Sequence, residues 1–234
     1  MILLEEVIPI YSFNLGNFTI NITRDIVVQW AVILVIGIVA YLLTRNLNRV
    51  PNKKQIVLES IYNYVENLVK SNMGEEFINY IPYVGALVVY LLTLNLIGLI
   101  GIEPPTQNLS VTLGLGITSF LVINATAIKR NGFGGYAKGL RGEFPWLIPL
   151  MLPLNILERI TLPISLALRL FGNMLAATLL IGMVYDALSS INFFAQIGLP
   201  IIAHAYFDVF DGTIQMLVFT MLTIVYIKII ADEH

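Results

Sequence analysis

Five stretches of this chain are apolar for long enough to cross a bilayer, and no other feature restricts its fold so strongly. A helical crossing needs about 20 predominantly apolar residues. Residues 26–43 (IVVQWAVILVIGIVAYLL), 81–102 and 109–128 are close to that length, and 144–188 and 194–230 exceed it. The chain is 57% hydrophobic and only 12% charged, against roughly 25% charged in soluble domains. An aqueous fold could not hide this much apolar surface, so the expected class is an all-α membrane protein forming one membrane domain over residues 1–234. The net charge of −2 argues against a nucleic-acid partner. With no cysteine, there is no disulfide or thiolate chemistry. The start, MILLEEVIPI, lacks a basic n-region, so no cleaved signal peptide is expected. The Asn-x-Ser/Thr matches at Asn17, Asn21, Asn108 and Asn124 read as chance.

Residues 55–70 differ from the five runs. Ile56, Ile61, Val65, Leu68 and Val69 recur at helical spacing, with Glu59, Asn63, Glu66 and Asn67 between them. This pattern predicts an amphipathic helix lying at the membrane interface.

The basic residues orient the spans. Arg45, Arg49, Lys53 and Lys54 follow the first run, and Lys129, Arg130, Lys138 and Arg141 follow the third. Those eight are most of the thirteen Lys and Arg. Placing both basic connections inside puts the N-terminus outside and the C-terminus in the cytoplasm. Residues 156–188 as one helix would measure roughly 50 Å, and 201–230 about 45 Å. The hydrocarbon is only about 30 Å thick, so the last two helices are expected to tilt strongly, overshoot or break. Pro145, Pro149, Pro153 and Pro163 predict a bent or late start for the first of them.

Two features of these long segments are costly in lipid. Arg169 stands in SLALRLFGNMLAATLL. An arginine at a helix centre costs from about 2.5 to above 10 kcal/mol, depending on how the cost is measured. It cannot shed the cost by deprotonating. Ser165 and Asn173 lie one turn to either side of it, and Glu158 lies three turns before on the same face. Arg159, nearer the basic end, reads as interfacial. In the last segment His204, Asp208, Asp211 and Gln215 fall within roughly 60° around an α-helix axis. Such a stripe can line a wet half-channel and pass protons, or it can be structural glue. A metal site at the His204/Asp208 spacing lacks an evident third ligand. Asn95 and Asn124 are expected to bond between helices, and Glu103 to lie in an outer loop.

LPLNILERITLPISLALRLFGNM, residues 152–174, resembles the signature of subunit a of the rotary F-type ATP synthase, with the Ser-Leu-x-Leu-Arg-Leu-Phe-Gly-Asn core complete from Ser165 to Asn173. PPTQNLSVTLGL (104–115), IKRNGFGGYAKGL (128–140) and TIQMLVFTMLTIVYI (213–227) are similar to further parts of that family. The resemblance implies an ion-translocating, non-catalytic stator subunit. Its partners would be the rotor c-ring, the peripheral-stalk b subunits and the lipid bilayer, and it would bind no nucleotide or other cofactor. It implies that Arg169 is the essential arginine, with Asn173 and Gln215 beside it. The chain departs from some members at Thr178, where they carry Glu, and at Asp208, where they carry His. Leu162-Pro163 likewise replaces a cation-Pro step. These departures shift the expected titrating groups to Asp208, Asp211 and His204, with Glu158, Ser165 and Thr178 as further channel-lining candidates. A secondary ion-coupled transporter, the main rival reading, predicts paired inverted repeats, and none is evident. A bare scaffold would not need the buried charges.

Overall fold

The computed structural model describes residues 11–15, 18–45, 47–48, 51–141, 148–189 and 195–232. Helix α1 covers Arg24–Thr44, α2 Lys53–Met73, α3 Ile81–Leu96, α4 Leu109–Arg141, α5 Ile148–Ser189, α6 Ala195–His204 and α7 Gly212–Asp232. Short 3₁₀ turns flank α3 and precede α4. Five of these units, with flanking turns included, are long and apolar enough to cross a membrane: Arg24–Thr44, Glu75–Ile100, Leu109–Arg141, Ile148–Leu188 and Pro200–Asp232. The protein is an all-α membrane protein in architecture, and its only described sheet is one small hairpin. Strands β1 (Tyr11–Leu15) and β2 (Phe18–Ile22) pair antiparallel, Tyr11 opposite Ile22 and Leu15 opposite Phe18. The sequence alternates apolar and polar residues through both strands, the period of a pleated ribbon.

One apolar core joins five helices. Val65 and Val69 of α2, Val84 and Leu91 of α3, Ile123 of α4, Leu170 of α5 and Ile224 and Ile227 of α7 are all buried in it. The second half of the amphipathic segment thus docks into the bundle, while Ile56, Val57 and Ile61 of its first half stay exposed. Helix α1 stands apart. Val32 is its one buried residue, held in a small cluster with Leu94 and Ile97.

Glycine allows two close helix contacts. A Cβ on Gly116 of α4 would lie 2.6 Å from the Pro163 carbonyl oxygen of α5. A Cβ on Gly212 of α7 would lie 3.0 Å from Asn95 Cβ, and Asn95 Nδ2 donates to the Gly212 carbonyl at 2.9 Å. Small residues at such crossings let backbones approach where lipid supplies no hydrophobic drive.

The basic connection after the third run is not an irregular loop. It is helical, broken at Gly132 (φ +68°), and the chain turns back there. Tyr136 then donates to Asn124 Oδ1 at 2.6 Å, although twelve residues of straight helix would separate them by about 18 Å. Pro153 and Pro163 do not delay α5, which begins at Ile148 and runs through both, while Pro145 lies outside the described residues. Membrane helices tolerate proline because neighbouring groups and local adjustments satisfy the freed carbonyls. Arg159, read as interfacial, is buried against the bundle. Its guanidinium sits 4.5 Å from the Tyr136 ring centroid and reaches Asn124 Oδ1 at 3.4 Å.

The helices alternate in direction. At one end, Arg24 meets Glu103 at 3.6 Å and Asn108 Nδ2 donates to Asp25 at 2.7 Å. Those contacts join the start of α1, the end of the α3 unit and the start of α4. At the other end Arg130 pairs with Glu76 and lies 3.6 Å from Asp232, with its guanidinium over the Phe77 ring. There the start of the α3 unit, the far part of α4 and the end of α7 meet.

Candidate functional site

Helix α5 has two opposed faces. Leu162, Leu166, Leu170, Met174, Ala177 and Ile181 recur at helical spacing and are buried, and α4 is the helix that α5 packs against most extensively. The other face is an exposed apolar strip of Ile164, Leu168, Leu175, Leu179 and Met183. Arg169 is itself exposed, at the edge of that strip where it borders the buried face. No described residue forms a hydrogen bond or ion pair with it. Ser165 and Glu158 are exposed as well, and Asn173 is half-buried. A permanent cation is thus presented on an outward, lipid-compatible face, and no carboxylate among the described residues neutralises it.

The second constellation lies where the last long unit changes winding. Residues Ala205–Asp211 form a π-helix between α6 and α7. π turns are rare and concentrate at functional sites. A uniform α-helix would have carried His204, Asp208, Asp211 and Gln215 as one stripe, and the wider π turn alters that register. His204 and Asp208 remain together, with Nδ1 to Oδ2 at 2.7 Å. Asp208 and Gln215 are buried, while His204 and Asp211 are half-buried. A buried carboxylate is tolerable only when paired or hydrogen-bonded, and His204 provides the contact. The Asp208 carboxylate also lies against Gly98, where a Cβ would meet Oδ2 at 3.1 Å.

A cavity of about 590 Å³ opens beside the pair, lined by Gly98, Tyr185, Pro200, Ile201, His204 and Val209. Tyr185 Oη stands 3.5 Å from His204 Nε2, so α5 and the π segment share its wall. With Nδ1 facing the carboxylate, Nε2 is the ring atom that faces Tyr185 and the cavity. Sequence reasoning does not reach Tyr185 or Gly98, since neither a lone tyrosine nor a glycine in an apolar run signals a role. Thr178 accepts a hydrogen bond from Gln107 Nε2 at 2.6 Å, which ties α5 to the turn before α4. Among the described residues no group of three His, Cys, Asp or Glu is arranged to hold a metal ion.

Fold and constellations together define a polytopic helical membrane protein with an outward-facing cation and a buried His–Asp pair beside a cavity. The chain belongs to the ATP synthase A chain family, which it matches across residues 26–228. It is 32% identical over 229 residues to the "ATP synthase subunit a, sodium ion specific" of Propionigenium modestum, a match covering 91% of this chain and 75% of that protein. It is 32% identical to ATP synthase subunit a of Moorella thermoacetica over 99% of this chain and the whole of that one. ATP synthase subunit a 3 of Pelobacter propionicus is 36% identical over 200 residues, covering 85% and 83% of the two chains.

Proposed function

We propose that this chain is the non-catalytic stator subunit that couples ion flow to rotation of the c-ring, and that Arg169 is its central charge. The observation that carries this reading is the position of Arg169, exposed at the edge of an apolar strip of α5. A rotor carboxylate moving through lipid travels neutral, because a bare charge there is costly. Beside Arg169 the positive field favours its ionised form. Two offset half-channels then load the carboxylate from one side and release its ion to the other, and the guanidinium repels a cation that would leak between them. One charge moved through 100 mV supplies about 2.3 kcal/mol.

The His204–Asp208 pair and its cavity belong to one half-channel, with Asp211 and Gln215 further along the same unit and Asn173 beside Arg169. Glu158, Ser165 and Thr178 line α5 above and below the arginine. The end of the bundle that carries Arg130 and the basic connections faces the cytoplasm, and the end with Arg24 and Glu103 faces outward. A bacterial cell membrane is the setting, with the peripheral-stalk b subunits holding this chain against the ring. Nucleotide chemistry resides elsewhere in the complex.

Arg169→Ala is expected to leave the complex assembled and to abolish ion-driven ATP synthesis in membrane vesicles. Vesicles of normal subunit content that still pump ions on ATP addition would overturn the reading. Arg169→Lys is also expected to be poor, because lysine can lose its proton when desolvated and lacks the planar fork.

A further inference from the structure

Of the nine residues that line the cavity beside the His204–Asp208 pair, only Tyr185 and His204 carry a polar side-chain atom. We infer that Tyr185 is a positioning residue of this half-channel. Its hydroxyl addresses His204 Nε2 and holds the ring in the tautomer and orientation that take up a proton from cavity water. The inference rests on the half-channel reading of the pair and adds to it a residue from a different helix.

Tyr185 stands one turn beyond Ile181 and one turn before Leu188, both buried, at the edge of the inward face of α5. It is nevertheless 41% exposed, and it lines the cavity. Its ring lies 6.1 Å from the His204 ring between centroids, tilted by 57°, and Oη is 3.5 Å from Nε2. That distance is long for a hydrogen bond. Bonds of a reacting network are often long before the site is loaded and tighten afterwards.

The chemistry of the ring gives the hydroxyl its role. Nδ1 lies 2.7 Å from Asp208 Oδ2. An ionised carboxylate only accepts, so Nδ1 carries the hydrogen and Nε2 of the neutral ring is bare. Tyr185 is the one side chain in the cavity wall that can donate to it. The same hydroxyl can accept once Nε2 is protonated. Uptake of one proton from water at Nε2 turns the imidazole and carboxylate into an imidazolium–carboxylate pair, and its release restores the start. Without the hydroxyl, the wall offers Nε2 no side-chain partner, and nothing keeps that atom turned toward the cavity. The other ionisable groups on the surrounding elements are Asp208 and Asp211 of the π segment and Asp186 beside Tyr185. Helix α6 brings only His204, and the Ile97–Gly101 turn brings none. Glu103, beyond that turn, pairs with Arg24.

Tyr185→Phe keeps the ring and removes only the hydroxyl. In vesicles holding the complex with its rotor, it should lower passive proton conductance about threefold and move the pH of half-maximal flux by about half a unit, the effect of one hydrogen bond to one protonation state. The pH midpoint does not depend on how much complex assembles, so a defect in yield leaves the test intact. In a His204→Gln background the same substitution should change neither quantity further, because the hydroxyl acts through the ring. Tyr206, on the same π segment, is exposed, packs on Phe207 and Phe210, and does not line the cavity. Tyr206→Phe should therefore match wild type. A wild-type flux and pH profile in Tyr185→Phe, losses that add to those of His204→Gln, or a wild type that conducts no protons would overturn the inference. Asp208→Asn separates it from the reading beneath it. A loss there with a silent Tyr185→Phe removes only the role of the tyrosine, whereas wild-type behaviour of Asp208→Asn removes the half-channel itself.

Discussion

His204 and Asp208 show how a few ångströms separate a structural pair from a relay. The 2.7 Å contact alone could be glue, but Nε2 of the same ring faces a cavity and Tyr185. An imidazole with one nitrogen on a carboxylate and the other toward open volume can accept and pass on a proton. Asp208→Asn keeps the shape and removes the charge, so it should slow ion flux through the stator while leaving assembly intact. Asp211→Asn should add to the loss. Gly98→Ala offers a subtler test. Its methyl would crowd the carboxylate at 3.1 Å, and the tip of a side chain can yield, so stability should fall little while flux falls as Asp208 is displaced. Both are measured as passive ion conductance and as coupled synthesis in rotor-containing vesicles. Wild-type rates in the Asp208→Asn/Asp211→Asn double variant would make the pair purely structural. The His–Asp spacing is visible in the sequence, but Gly98 and Tyr185 are not, because their roles arise from contacts across the bundle that no local pattern encodes.

At the scale of elements, the hydrophobic runs are legible because lipid imposes a length and an apolarity on every crossing. What escapes is local backbone geometry. The hairpin is signalled by the alternation of Tyr11, Phe13 and Leu15 against Phe18, Ile20 and Ile22 around Gly16-Asn17, a pattern that short polar-apolar segments display weakly beside 20-residue runs. The reversal at Gly132 has a local signal of its own in the Asn131-Gly132 pair, whereas the π turn at Ala205–Asp211 carries no comparable signature. The α4–α5 seam, in contrast, depends on one missing methyl. Gly116→Ala would place a Cβ 2.6 Å from the Pro163 carbonyl oxygen, a backbone atom that cannot move alone. The helices must separate, and overpacking of this kind costs about 1–3 kcal/mol. A lower thermal midpoint of the purified chain and reduced recovery in the assembled complex are expected. A variant as stable as wild type would show that α4 and α5 are not in backbone contact there.

At the scale of the molecule, charge and apolar surface are distributed for a protein with neighbours. The residues that bind the helices together face inward, and α5 turns an apolar strip outward beside Arg169. The resemblance implies that Gln215 lies beside the arginine. The structure buries Gln215, with Ile214 exposed next to it, and α7 packs chiefly on α4 and α3 rather than on α5. The ring contact should therefore be made mainly by α5. The absence of cysteine from the sequence makes this easy to test. Cysteines placed singly at Leu168, Leu175 and Leu179 should form disulfides with cysteines in the rotor's outer helix when membranes are oxidised. Those at Leu166 and Leu170, buried in the bundle, should not. Cysteines at the half-buried Asn173 and Leu217 should give lower yields than the strip. The yields report the face directly, because a disulfide forms only when the two Cα atoms come within about 7 Å. If the buried positions cross-link as readily as the strip, then α5 meets the rotor through its other face, and the exposed position of Arg169 ceases to explain how this chain would act on the ring.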